Sequence, residues 1–231
     1  MKIIAANFKM NGDREFIDNW FQNFDTNTEN LVVVGLPAIY LESSVQNFNK
    51  SHFKIAAQNV SKFNNPGAYT GQMSSAMLND VGVEFCIVGH SEAREHLCED
   101  NQSVYEKYNC LKSFSITPIV CIGESLEVRE ANNHLDFISD QIEKFNTAED
   151  KIIFAYEPIW AIGTGLVPTQ EQIEEMSSHI KSHFSQQVMV LYGGSVNSKN
   201  SSEILNMNNI DGVLVGGASL SAEEFANIAQ S

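Results

Sequence analysis

Residues 152–165 read Ile-Ile-Phe-Ala-Tyr-Glu-Pro-Ile-Trp-Ala-Ile-Gly-Thr-Gly. The run 152–156 is apolar throughout, which is how a strand buried on both faces of a parallel sheet reads. It stops at Glu157-Pro158. After the loop 158–165 a helical pattern begins. Thr169 and Gln172 form a capping box, and Ile173, Met176, Ile180 and Phe184 fall on one helical face. The stretch is therefore a strand, a loop and a helix in succession.

The same unit recurs in both directions. Strands are expected over 2–8, 31–36, 54–59, 85–90, 116–122, 152–156, 188–192 and 212–215. Helical faces follow several of them: Phe16, Ile17, Trp20, Phe21 and Phe24 after the first, and Leu135, Ile138, Ile142 and Phe145 after the fifth. A second capping box is expected at Ser221 and Glu224. Eight consecutive β-then-α units imply parallel strands joined by right-handed crossovers. Eight strands can close a (β/α)8 barrel of the TIM type or form an open doubly wound sheet, and the pattern alone leaves both standing. No linker breaks the chain, so residues 1–231 are expected to form one domain.

Composition narrows the function. The formal net charge is −15, which opposes nucleic acid and anionic membrane surfaces. An anionic substrate would have to be attracted locally, by a lysine or by backbone N–H groups. No apolar run approaches the roughly 18 residues that span a bilayer, and the N-terminus reads as a strand rather than a signal peptide; the cytoplasm is the expected location. Cys86, Cys98, Cys110 and Cys121 contain no C-x-x-C pair, and Cys86 and Cys121 sit in apolar strands, as reduced thiols of a core would. His179 and His183 share a helix face, but no third metal ligand is evident, so a solvated face is expected and no metal.

In a barrel, the groups at the C-terminal ends of the strands share one mouth. There the sequence places Asn7 and Lys9, Gln58 and Asn59, His90 and Glu92, Glu124, Glu157, Gly193-Gly194-Ser195 and Gly216-Gly217. Glycine pairs after strands seven and eight let a backbone approach a phosphate. Glu157 is a candidate general base, His90 a proton shuttle or neutral donor, and Lys9 a fixed positive charge. Each has a plain structural reading as a cap, a packed ring or an ion-pair partner; together at one mouth they point to catalysis. The loop of Pro158, Ile159, Trp160, Ala161, Ile162, Gly163, Thr164 and Gly165 is apolar and glycine-bearing, as a lid would be, although a buried connection reads the same way.

These blocks resemble the triosephosphate isomerase family. The match runs over 5–11, 88–92, 120–124, 155–165, 191–196 and 215–220, in order and over essentially the whole chain. The resemblance implies the closed barrel and a cofactor-free aldose–ketose isomerase of glycolysis and gluconeogenesis, acting on a triose phosphate through an enediolate. It also implies roles. Glu157 removes the carbon-bound proton. Neutral His90 polarises the carbonyl and shuttles a proton between the oxygens. Lys9 and Asn7 stabilise the enediolate and hold substrate. N–H groups of Gly163, Ser195, Gly216 and Gly217 bind phosphate, and Glu92 is a supporting group. The family is itself a standard illustration of neutral-imidazole catalysis behind a closing loop, and the resemblance implies both. Residues 58–71 resemble the loop that enters a partner subunit, which implies a homodimer with Thr70 beside the partner's active site. Ala93 stands where the family often has arginine, and the far hinge reads Leu166-Val167-Pro168. A barrel isomerase or synthase of another kind would carry a different block at 156–165. A non-catalytic barrel would have lost Lys9, His90 or Glu157.

Overall fold

The computed structural model describes residues 1–48, 50, 52–147, 152–162, 166–185 and 187–231. Among them eight strands close into a barrel in sequence order: β1 (Ile3–Asn7), β2 (Leu31–Leu36), β3 (Phe53–Ala57), β4 (Phe85–Val88), β5 (Thr117–Ile122), β6 (Ile153–Tyr156), β7 (Met189–Tyr192) and β8 (Gly212–Val215). Every pairing is parallel, and β1 pairs with both β2 and β8, placing Ile3 opposite Leu31 and Gly212. The open-sheet alternative is thereby removed.

The helices lie outside: α1 (Arg14–Asn23), α2 (Leu41–Phe48), α3 (Ser75–Asp80), α4 (Ser91–His96), α5 (Asn101–Lys112), α6 (Leu126–Glu130), α7 (His134–Ile142), α8 (Gln170–Ser182), α9 (Ser201–Leu205) and α10 (Ala222–Ala229). The two-residue period of the strands divides the core. Ile3, Ala5, Val33, Ile87, Ile119, Ile153, Ala155, Leu191 and Leu214 fill the barrel. Their neighbours Ile4, Val32, Val34, Val88, Val120, Phe154 and Val213 face the helices. Both faces are buried, which is why the strands read as unbroken apolar runs. The helical face read around Trp20 is real: Trp20 is buried, stacks on Phe24 with centroids 4.8 Å apart, and donates from Nε1 to Ser219 O at 2.9 Å.

Two expectations are corrected here. The third strand ends at Ala57, before Gln58 and Asn59, because the Gln58 side chain replaces the ladder, donating from Nε2 to Gly35 O at 3.1 Å. At the second capping box Ser221 Oγ does accept from Glu224 N, but the Glu224 carboxylate reaches away to Ser198 N at 2.8 Å. That bond ties the loop after β7 to α10. The Thr169–Gln172 box is complete.

Candidate active site

Strand parity decides which side chains reach the mouth. On β1 the inward series 3, 5 ends at Asn7; on β6 the series 153, 155 continues to Glu157; on β7 and β8 it continues to Gly193 and Gly216. His90 would fall on the outward series of β4. Gly89 corrects this: its φ of +69° breaks the alternation and turns the chain so that His90 enters the mouth. A Cβ at Gly89 would also lie 2.8 Å from Val104 Cγ1. Arg94 pins the turn, donating from Nε to Gly89 O at 2.8 Å and from Nη2 to Cys121 O at 3.2 Å.

The carboxylate and the imidazole meet. Glu157 Oε1 lies 3.2 Å from His90 Nε2, with Glu157 3% and His90 7% exposed. Gly193 makes room for the carboxylate: a Cβ there would stand 2.7 Å from Glu157 Cγ. Half of the first glycine pair thus serves the base rather than an anion. His90 also caps α4, its Nδ1 accepting from Glu92 N at 3.2 Å. With Nδ1 an acceptor, the ring proton sits on Nε2 and the neutral ring donates toward Glu157. Burial is the strongest single influence on His90 and disfavours its charged form, but the charge and hydrogen bond of Glu157, joined by the charge of Glu92, turn the net shift upward.

Lys9 closes the other side. Its φ is +53°, and its Nζ pairs with Glu92 Oε1 at 2.7 Å. Burial tends to raise the Glu92 pKa, yet the Lys9 hydrogen bond and charge hold it below the usual carboxylate value. Glu92 therefore touches both neighbours, His90 through its backbone and Lys9 through its side chain. Asn7 Oδ1 accepts from Lys9 N at 3.0 Å and Gln58 Nε2 at 3.2 Å, leaving the amide nitrogen as its donor.

These groups line a cleft of about 410 Å³ whose far wall is Ser195, Gly216 and Gly217. A Cβ at Gly217 would meet nothing within 4 Å, so that wall is open backbone. The first part of the expected lid, Pro158 to Ile162, is a short turn pinned at both ends. Ile159 N donates to Glu124 O at 3.0 Å and Ser195 Oγ to Ala161 O at 2.8 Å. Gly163, Thr164 and Gly165 lie outside the described residues.

Three contributors were under-read in the sequence. Glu124 is fully buried and accepts from Tyr156 OH at 3.0 Å and Trp160 Nε1 at 3.1 Å; its strand-end position was the available signal. Arg94 and Gln58 act by holding backbone carbonyls, which no sequence pattern announces. His179 is not on a solvated face: its Nε2 lies 2.9 Å from Ser139 Oγ and 3.1 Å from Leu135 O on α7. Burial pushes the Cys86 and Cys121 thiols up, away from reactive thiolate.

A second cleft of about 440 Å³ opens beside Lys9 and His90 toward Met10 and Leu97. Met10 is 96% exposed. Residues 62–71, next to this region, are exposed throughout, with Phe63 stacked on Tyr69 at 3.9 Å. Among the described residues, no helix is long and apolar enough to cross a membrane.

A model of the triosephosphate isomerase family matches residues 2–231. Curated relatives bearing that name agree in identity and coverage. The protein of Alkaliphilus oremlandii is 42% identical, over 98% of this chain and 97% of the relative. That of Neurospora crassa is 42% identical, over 95% and 94%. That of Mesomycoplasma hyopneumoniae is 40% identical, over 98% of each.

Proposed function

Because the chain belongs to the triosephosphate isomerase family, we propose that Glu157, His90, Lys9 and Asn7 together interconvert dihydroxyacetone phosphate and D-glyceraldehyde 3-phosphate, a step of glycolysis and gluconeogenesis. The observation that supports this assignment best is the buried 3.2 Å contact of Glu157 and His90 at the mouth that Lys9 shares.

The substrate's two oxygens lie toward His90 Nε2 and Lys9 Nζ, and its phosphate lies at Ser195, Gly216 and Gly217, with Gly163 as a further N–H donor. Glu157 removes the proton from the carbon beside the carbonyl, and the electron pair moves onto oxygen to give the enediolate. Lys9 and Asn7 stabilise that oxygen charge. Neutral His90 donates from Nε2 to one oxygen and regains a proton from the other. Glu157 then returns its proton to the neighbouring carbon, so the reaction balances without any redox step. Once Glu157 turns to the substrate, its upward pull on His90 weakens. Burial, the Glu92 N–H and the charge of Lys9 then favour the neutral ring, opposed by the charge of the Glu92 carboxylate.

The net charge of −15 repels a phosphate dianion at long range; the attraction is supplied inside the cleft by Lys9 and backbone donors. No cofactor or metal enters this scheme, and the enzyme acts as a single barrel domain, residues 1–231, in the cytoplasm. A coupled assay with D-glyceraldehyde 3-phosphate is expected to register isomerisation, undiminished by EDTA. A purified chain that binds the substrate but does not turn it over would overturn the assignment.

The active form is a homodimer. The loop 58–71 of one copy enters the cleft between Met10 and Leu97 of the other, and Thr70 approaches the partner's Asn7, Lys9 and His90. The exposed Met10 and the protruding loop support this reading. Thr70→Arg is expected to place a long cation against Lys9 and split the dimer. Analytical ultracentrifugation at micromolar chain checks it; an intact, fully active dimer would rule out this placement of Thr70.

A further inference from the structure

Arg94, half-buried on α4, carries a charge that none of its hydrogen bonds answers. Its nitrogens donate to Gly89 O, to Cys121 O and, from Nη1 at 2.8 Å, to Asn101 Oδ1 at the start of α5. All three acceptors are neutral. Asp140 on α7 accepts from Asn101 Nδ2 at 2.8 Å, which fixes the amide with its carbonyl toward Arg94. Burial draws the guanidinium pKa down, but the group stays charged at any working pH. The titratable groups facing it are Cys121 on β5, Glu99 and Asp100 ahead of α5, and Glu157 after β6. Burial keeps the Cys121 thiol neutral. Glu99 is paired with Lys107, and Asp100 caps α5 by accepting from Ser103 N at 2.7 Å. Lys9, across the mouth, is paired with Glu92. Glu157 is left with the neutral His90, the same Cys121 thiol and a long contact of 3.5 Å from Ser91 N. Arg94 and Glu157 line one pocket of about 10 Å³ with Gly89, Ser91 and Gly123. That space holds about one water, so bulk solvent does not screen the two charges.

We propose that Arg94 is a positioning residue that acts through Glu157, its guanidinium being the fixed counter-charge of that carboxylate. The cation favours the ionised form, the one that accepts the substrate proton. The cradle of neutral carbonyls leaves the field of Arg94 for Glu157; a carboxylate in the place of Asn101 would take it up. The inference rests on reading Glu157 as the base.

The test is the acid limb of kcat/KM between about pH 5 and pH 8, which reports Glu157 and His90 as a coupled pair. The substrate phosphate titrates there too, identically for every variant, so the differences between variants decide. Loss of a nearby cation favours the protonated form of both groups and moves the limb to higher pH. Arg94→Gln is expected to move it up by about one unit, an extra loss of about tenfold at the acid end. Arg94→Lys keeps the charge without the fork; it is expected to lower the plateau and leave the limb within about 0.3 unit of its native place. A third variant keeps every hydrogen bond and covers a failure of Arg94→Gln to fold. Asn101→Asp combined with Asp140→Asn exchanges amide and carboxylate, so the chain from Arg94 to α7 stays whole and the net charge is unchanged. The new acid sits at the N-terminus of α5, where it is favourable. This exchange is expected to move the limb up by about half a unit. A folded exchange variant with the native limb, or equal limb positions in Arg94→Gln and Arg94→Lys, would reduce Arg94 to a brace for two carbonyls. Failure of the base reading has its own signature: Glu157→Asp would then keep a near-normal kcat.

Discussion

Glu157→Asp is expected to lower kcat about 100-fold while KM changes modestly, a loss near 2.7 kcal/mol of barrier stabilisation. The charge is retained; only its position moves, by one methylene or about 1 Å. In the cleft that displacement has nowhere to be absorbed. Gly193 leaves just the space that the Glu157 side chain fills. The backbone beneath is equally tight, since a Cβ at Gly123 would stand 1.8 Å from Glu157 O. The main chain therefore cannot advance to restore the reach, and the carboxylate withdraws from both His90 Nε2 and the substrate carbon. Steady-state kinetics with circular dichroism as the folding control decide the matter. A correctly folded variant with near-normal kcat would remove Glu157 from the proton transfer.

The fold was largely legible because two-sided burial writes itself into sequence. Runs such as 152–156 and 188–192 had no polar face to hide, and their count and order left two architectures. The strand-end rule places Asn7, Lys9, His90 and Glu157 at one mouth from sequence position alone. Register was harder to read. Placing His90 requires knowing that Gly89 adopts φ +69°, since simple alternation would turn the ring toward the helices. Long-range polar partners were illegible for a different reason. Glu224 caps α10 by spacing, yet its side chain is taken by Ser198 N, 26 residues earlier. Gln58 reads as the end of a strand but spends its amide on Gly35 and Asn7. Hydrogen bonds of this kind depend on three-dimensional proximity, which carries no period along the chain.

Deleting residues 161–163 is expected to reduce isomerisation by about 10²–10³-fold and to raise the fraction of turnovers that release phosphate. The enediolate phosphate has two exits. Reprotonation at carbon gives the isomer; cleavage of the bond to the phosphate oxygen gives inorganic phosphate and a reactive dicarbonyl. The second exit is suppressed only while the phosphate is gripped and water is excluded. Removal of 161–163 acts on both conditions. It takes away the proposed Gly163 N–H donor, and it takes away Ala161, whose carbonyl holds Ser195 Oγ at 2.8 Å. Ser195 borders the wall proposed to hold the phosphate, so that wall is expected to loosen as the cover is lost. Glu157 keeps its contact with His90, and Lys9 its pair with Glu92. Proton abstraction continues while the fate of the intermediate changes, and measuring free phosphate alongside isomer separates the two. A deletion variant whose phosphate-to-isomer ratio matches the intact enzyme would show that this loop is not what protects the enediolate.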